Sequence, residues 1–195
     1  LSIRREPMGQ VFYWGAEGER AHRRFAGEPA RGDSYAEVVT KLDRNNVFSK
    51  DMAYYLDGLT DDAVCELFRD RSIHHTFLVR HPSKTVPSLY RASLDVEATG
   101  FSWFDEQEVG MKSLLRIQRL VSARGLSRAA PVIVDADDLL ERPAEVMSAY
   151  CAATGLEFTP GMLAWEAGKV DGWEAWPGWH DDAINSTGFR PRRAG

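Results

Sequence analysis

Short apolar runs that end in polar residues recur along the chain. Three of them stand out: Val47–Met52, Thr76–Val79 and Pro131–Asp135. Each is too short to form a helix by itself, and runs of this length bounded by polar or turn residues are typical of strands. The pattern therefore predicts three short strands spread over the chain.

Apolar residues at helical spacing fill much of the sequence around these strands. Residues 34–45 place apolar side chains at 35, 38, 39 and 42 behind a serine start signal, a spacing that buries one face of a helix. The same reasoning predicts four further helices, at 59–69, from about Ser83, at 106–123 and at 146–151. The first 34 residues carry no clear period and predict irregular structure with a short helix near Glu17–Phe25.

Strands that alternate with helices predict an α/β fold with a mostly parallel central sheet flanked by helices. Parallel neighbours need crossover connections, which helices usually supply. The chain has 195 residues, which is long enough for one domain with a substantial core and too short for two large ones. We therefore predict a single domain over residues 1–195.

Composition and charge limit the kinds of partner and cofactor that we expect for this chain. The net charge of -5 gives no general reason to expect a nucleic-acid partner, so any anion site must be local. No apolar run approaches the length of a membrane span, and no leader pattern opens the sequence, so no membrane partner is expected. Cys65 and Cys151 lie far apart without metal-ligand neighbours, which predicts reduced, buried thiols in a cytoplasmic protein without a metal.

A candidate anion site lies where the second strand ends. Arg80 follows the apolar run Thr76–Val79, and His81-Pro82 makes a turn before the next predicted helix. The carboxyl end of a strand in an open α/β sheet, beside the free N–H groups of the following helix, is where such folds bind anions. Ser88 comes eight residues after Arg80 and could add a hydroxyl donor to the guanidinium. The alternative is an arginine that caps the strand and a solvated serine.

This stretch, HHTFLVRHPSKTVPSLYR from His74 to Arg91, resembles the 3'-phosphate-binding segment of sulfotransferases that use 3'-phosphoadenosine 5'-phosphosulfate (PAPS). In that family an arginine ends a strand and a serine follows eight residues later. The resemblance implies a fold like that of P-loop nucleoside triphosphate hydrolases, with PAPS as co-substrate and Arg80 and Ser88 on its 3'-phosphate. Pro87 departs from the pattern, and we expect it to distort the first helical turn unless the helix begins late.

The end of the first predicted strand carries the catalytic candidates. Members of the family end this strand in Lys-Thr-His, where the lysine contacts the transferred sulfuryl group and the histidine is the general base. This chain has Lys50-Asp51-Met52 in the same register, so the lysine matches and the histidine does not. Asp51 can replace the base if burial raises its pKa, and His180 is the other candidate. A helix cap or a salt-bridge partner is the alternative role for Asp51.

Three weaker segments add to the resemblance. Glu6–Tyr13 is similar to a stretch that follows the phosphate loop in a bacterial sulfotransferase-like group, and Asp137-Asp138-Leu139 is similar to a Tyr-Glu-Asp-Leu segment, although helix capping also explains these acids. Residues Ser186–Arg190 fit the late loop that closes over the nucleotide, which implies that Gly188 and Arg190 contact the cofactor. A solvated basic tail would look the same. No glycine-containing phosphate loop is visible, so we expect a domain without its N-terminal strand and that loop.

The predicted function is transfer of a sulfuryl group from PAPS to a hydroxyl or amine of a small-molecule acceptor. The alternative is a degenerate α/β domain that binds a nucleotide or a partner without catalysis. A P-loop kinase-like phosphotransferase would need a Gly-Lys-Ser/Thr sequence that this chain lacks. The sequence leaves the acceptor and the oligomeric state open.

Overall fold

The computed structural model describes residues 2–15, 32–42, 47–69, 72–168 and 178–190. The chain divides into two compact units, one formed by Leu1–His75 with Gly110–Pro131 and the other by Thr76–Val109 with Val132–Gly195. The short helix predicted near residues 17–25 lies outside the described residues. The prediction of one domain that lacks its first strand and phosphate loop stays a prediction.

The first unit is built on a parallel pair of strands. Its described elements are β1 (Ser2–Arg5), α1 (Pro7–Trp14), α2 (Tyr35–Leu42), β2 (Val47–Lys50), a 3-10 turn (Ala53–Leu56), α3 (Asp61–Phe68) and α7 (Met111–Arg124). Strands β1 and β2 pair from Ser2 opposite Val47 to Arg5 opposite Lys50. The Glu6 N–H donates to the Lys50 carbonyl at 2.6 Å and so extends this ladder by one residue.

Helices from both parts of the first unit cover a core of apolar and aromatic side chains. Its most deeply buried members are Val11, Val39, Tyr55, Val64 and Val121. Arg116 of α7 ties this helix to the segment after the 3-10 turn, since its guanidinium donates to the carbonyls of Leu56 and Leu59 and pairs with Asp61. The half-buried guanidinium thus satisfies backbone acceptors of this segment.

The expectation of irregular structure at the start of the chain is wrong for the described residues. Ile3 is the one apolar residue of β1 and is 56% exposed, so this strand leaves no hydrophobic pattern in the sequence. In α1, Gly9 lies so close to the Tyr55 ring that an added Cβ would stand 3.1 Å from it. Tertiary packing, rather than periodicity, specifies these two elements.

The second unit also carries a parallel strand pair. Its described elements are β3 (Thr76–Val79), α4 (Pro82–Leu94), α5 (Val96–Thr99), α6 (Glu106–Val109), β4 (Val132–Asp135), α8 (Ala136–Glu141), α9 (Pro143–Thr154), a 3-10 turn (Pro160–Leu163) and α10 (Asp181–Ile184). Strands β3 and β4 pair from Thr76 opposite Val132 to Val79 opposite Asp135. The predicted α/β organisation with parallel strands and flanking helices is thus confirmed.

The long helix predicted at 106–123 is interrupted. Gly110 has φ 76°, a left-handed conformation that a helix cannot contain, and it separates α6 from α7. Among the described residues, no helix has the length and apolar character needed to cross a bilayer.

Candidate active site

Asp51 stands directly after β2 and is held by hydrogen bonds from two directions. Its Oδ1 accepts the Met8 N–H at 2.8 Å, at the start of α1, and its Oδ2 accepts the Ser49 hydroxyl at 2.9 Å. Burial raises the pKa of Asp51 to about 7, because the loss of hydration outweighs these two hydrogen bonds, and the nearby Glu6 carboxylate adds to the increase. A carboxyl group with this pKa can accept a proton near neutral pH.

Lys50 is the last residue of β2 and presents a half-exposed ammonium beside Asp51 in the chain. Its Nζ pairs with Glu6 Oε1 and lies 3.6 Å from the Met52 sulfur. The Lys50 side chain is 46% exposed, whereas the Glu6 side chain is 10% exposed. An ammonium carries three donors, so Lys50 retains donors for a bound anion.

Glu6 and Tyr55 complete this cluster, and the sequence did not assign either of them to it. Glu6 Oε2 accepts the Tyr55 hydroxyl at 2.7 Å, and Tyr55 is 2% exposed. The resemblance of Glu6–Tyr13 to a sulfotransferase-like stretch was the available signal for Glu6. Tyr55 gave no signal, because a buried tyrosine in a strand-to-helix connection reads as core.

The predicted anion site at the end of β3 lies in the second unit. Arg80 follows β3, and His81 caps α4, since its Nδ1 accepts the Ser83 N–H at 3.2 Å. The helix begins at Pro82, so Pro87 lies inside it and α4 continues through the proline to Leu94. Pro82 occupies the first helical position, where its missing N–H is harmless, and Pro87 removes one backbone donor inside the helix.

Ser88 is half-buried on α4, six residues after the helix begins. At 1.5 Å of rise per residue it stands about 9 Å along the axis from Pro82. Lys84 lies between them and pairs with Asp137 at 2.8 Å, across to the segment that follows β4. The N-terminus of α4 and the ion pair of Lys84 with Asp137 therefore lie at the carboxyl ends of β3 and β4.

The acids after β4 have structural partners. Asp135 caps α8 by accepting the Asp137 N–H at 2.7 Å, and Asp138 pairs with Arg142 at 2.9 Å. The prediction that Asp137 or Asp138 is the cap is wrong by two to three residues, because the strand ends at Asp135 and the helix begins immediately.

His180, Gly188 and Arg190 belong to the second unit, whereas Lys50 and Asp51 belong to the first. His180 precedes α10, and the preceding Trp179 donates from its indole to the Thr99 carbonyl at 3.0 Å. Gly188 bridges Ala164, and an added Cβ would stand 2.9 Å from the Leu163 carbonyl oxygen. Arg190 donates to the Thr187 hydroxyl at 3.2 Å. Close packing accounts for Gly188, and the cofactor roles of Gly188 and Arg190 stay predictions.

No group of three or more His, Cys, Asp and Glu side chains suited to a metal ion occurs within the described ranges. Cys65 and Cys151 are both free thiols and both buried.

Two curated proteins of Arabidopsis thaliana are similar to part of this chain. They are the branched-chain-amino-acid aminotransferase-like proteins 2 and 1, each 30% identical over 118 residues. The match covers 59% of this chain and 19% of each relative, so it spans about a fifth of their length. Their names describe those whole proteins.

A solved structure and a family model give the other similarities. The structure of a sulfotransferase domain from the curacin biosynthetic pathway superposes with a TM-score of 0.44 at 18% identity, over 80% of this chain and 53% of that one. This score is too low to establish a shared fold by itself. The family model described as a sulfotransferase domain matches residues 24–194, which is most of the sequence. The chain therefore belongs to the sulfotransferase family.

Proposed function

We propose that this chain transfers a sulfuryl group from PAPS to a hydroxyl or amine of a small-molecule acceptor, with Asp51 as the general base and Lys50 on the sulfuryl oxygens. The family supports sulfotransferase activity in general; the donor, the acceptor class and the residue roles are the finer part of the proposal. The observation that carries it is Asp51, partly buried directly after β2 with a pKa of about 7 and next to Lys50 in the chain.

The chemistry needs a proton acceptor and a cation at the same place. Asp51 takes the proton from the attacking hydroxyl or amine as the new bond to sulfur forms and the bond from sulfur to the leaving phosphate oxygen breaks. Lys50 offsets the negative charge that develops on the oxygens around sulfur. When bound, PAPS supplies an activated sulfuryl group on a good leaving group. Asp51 then releases this proton to solvent before the next turnover.

The residues after β3 suit the 3'-phosphate of the donor. Arg80 offers a planar guanidinium, and the N-terminus of α4 contributes the positive end of a helix dipole. Lys84 adds a second cation close to this turn. A phosphate dianion matches this donor set, and Ser88 is positioned farther along the same helix.

Calorimetric titration with 3'-phosphoadenosine 5'-phosphate tests the donor site. We expect selective binding over adenosine 5'-phosphate in the unchanged protein. Arg80→Ala should weaken binding by about 1.5 to 3 kcal/mol, which is the contribution of a charged hydrogen bond. Arg69→Ala is the matched control, because Arg69 forms a solvent-exposed pair with Glu66 in the other unit. Equal affinity for both nucleotides, or an unaffected Arg80→Ala variant, would contradict the proposed donor.

A further inference from the structure

Glu6 has a backbone conformation that its residue type does not favour. Its φ is 49° and its ψ is 44°, and among the described residues it is the one non-glycine residue with a positive φ. A side chain in the left-handed region crowds the following carbonyl oxygen, which makes this conformation unfavourable. Two backbone hydrogen bonds hold it there, from the Glu6 N–H to the Lys50 carbonyl at 2.6 Å and from the Gly9 N–H to the Glu6 carbonyl at 2.9 Å.

The conformation places the Glu6 carboxylate between a rigid group and a flexible one. Oε2 accepts the hydroxyl of Tyr55, whose ring packs against Gly9 and whose carbonyl accepts the Tyr35 hydroxyl at 2.6 Å. The phenol is therefore fixed by the core. Oε1 faces the ammonium of Lys50, which stands at the end of a long, half-exposed side chain. One oxygen is anchored, and the other orients the lysine.

Stability does not explain this arrangement. A carboxylate that is 10% exposed loses much of its hydration, and an ion pair with a half-exposed lysine returns little free energy. Backbone strain at Glu6 adds to the cost. Strained residues and partly buried charges that persist together are typical of functional sites, where geometry is maintained at the expense of stability.

We propose that Glu6 is a positioning residue for sulfuryl transfer: its carboxylate, fixed by Tyr55, holds the Lys50 ammonium in place beside Asp51 at the end of β2. This inference rests on the proposed function for its catalytic meaning. Glu6 touches neither reacting group in this role and acts through Lys50. Its negative charge also raises the pKa of Asp51, which couples the two carboxylates.

The Glu6→Gln variant tests the inference, because glutamine keeps the shape and removes the charge. We expect three changes: greater mobility of the Lys50 side-chain end in ¹³C NMR relaxation, a lower titration midpoint for the Asp51 carboxyl carbon, and a transfer rate reduced on the order of 100-fold. The dissociation constant for PAPS should change much less, since Lys50 keeps its charge. Glu66→Gln is the matched control, because Glu66 is 73% exposed in a surface pair with Arg69.

The two NMR measurements need no donor, so they separate this inference from the proposed function. If the unchanged protein transfers nothing from PAPS, the proposed function fails. The mobility of the Lys50 side chain and the titration midpoint of Asp51, compared between the Glu6→Gln variant and the unchanged protein, still decide the role of Glu6. A Glu6→Gln variant with Lys50 mobility and an Asp51 midpoint like those of the unchanged protein would overturn the inference. If that variant does not fold, Tyr55→Phe replaces it: a loosened Lys50 supports the inference, and an unchanged one overturns it.

Discussion

The two candidate sites differ in how the chain builds them. At the end of β2, Asp51, Lys50 and Tyr55 contact partners 43 to 49 residues away in sequence; Tyr55 is buried, and Glu6 and Asp51 are partly buried. At the end of β3, the cap of α4 uses residues two positions apart, and the Lys84 pair with Asp137 is largely exposed. A site for chemistry needs altered pKa values and fixed geometry, which burial provides. A site that binds a phosphate needs donors and charge, which a strand end and a helix start supply locally.

The largest expected effect concerns the base. Asp51→Asn should lower the transfer rate from PAPS by about 10²- to 10⁴-fold, because asparagine cannot accept the proton, while donor affinity stays near that of the unchanged protein. The measurement is release of 3'-phosphoadenosine 5'-phosphate with a mixture of hydroxyl and amine acceptors. His180→Asn and the exposed Asp62→Asn serve as comparisons. Full activity of the Asp51→Asn variant would show that another residue is the base. The end of β2 would then no longer differ from the end of β3 as the site of chemistry.

Asp51→Asn should stabilise the folded protein although it lowers activity. Because the folded-state pKa of Asp51 is raised from 3.8 to about 7, the folded protein holds this proton more tightly than the unfolded chain does. This contribution to stability is complete below about pH 4 and is lost as the pH rises towards 7. Asparagine does not ionise, so the Asp51→Asn variant does not lose this contribution as the pH rises. The free energy of unfolding of the variant relative to that of the unchanged protein should therefore increase by on the order of 2 kcal/mol from pH 5 to pH 8.

Urea unfolding at both pH values measures this difference. Comparing the two proteins at each pH cancels the separate contribution of His75, whose pKa burial lowers to about 4. A constant difference across this range would mean that Asp51 is ionised throughout in the folded state, and the proposed base would lose its physical support.

The smallest effect is expected in the second unit. Lys84→Gln removes the pair with Asp137, and we expect a loss below about 1 kcal/mol in the free energy of unfolding, because both side chains are substantially exposed and screened by salt. Urea unfolding at low and high salt checks this, with Lys84→Arg as the charge-preserving control. A loss well above 2 kcal/mol that persists at high salt would show that this site is as dependent on tertiary contacts as the first.

Prediction from the sequence succeeded where the signal for an element lies within a few neighbouring residues. Strands β3 and β4, the arginine after β3 and the helix that follows it are readable because their signals are local: an apolar run, a turn and a helix cap within a few residues. Lys50 and Asp51 were predicted because they occupy the positions at the end of a strand where the family carries Lys-Thr-His. Gly110 interrupts a helix whose apolar face alone predicted continuity, since one residue with positive φ outweighs the pattern.

The sequence by itself determined the alternation of strands and helices, the positions of Arg80, Ser88, Lys50 and Asp51 at or after strand ends, and the resemblance to the family that the chain belongs to. Tertiary structure alone decided that the first residues form β1 and α1, that Asp51 is partly buried with a raised pKa, and that Glu6 links Lys50 to Tyr55. Hydrophobic period and turn chemistry act over a few residues, whereas burial and partner choice depend on segments that meet only in the folded chain.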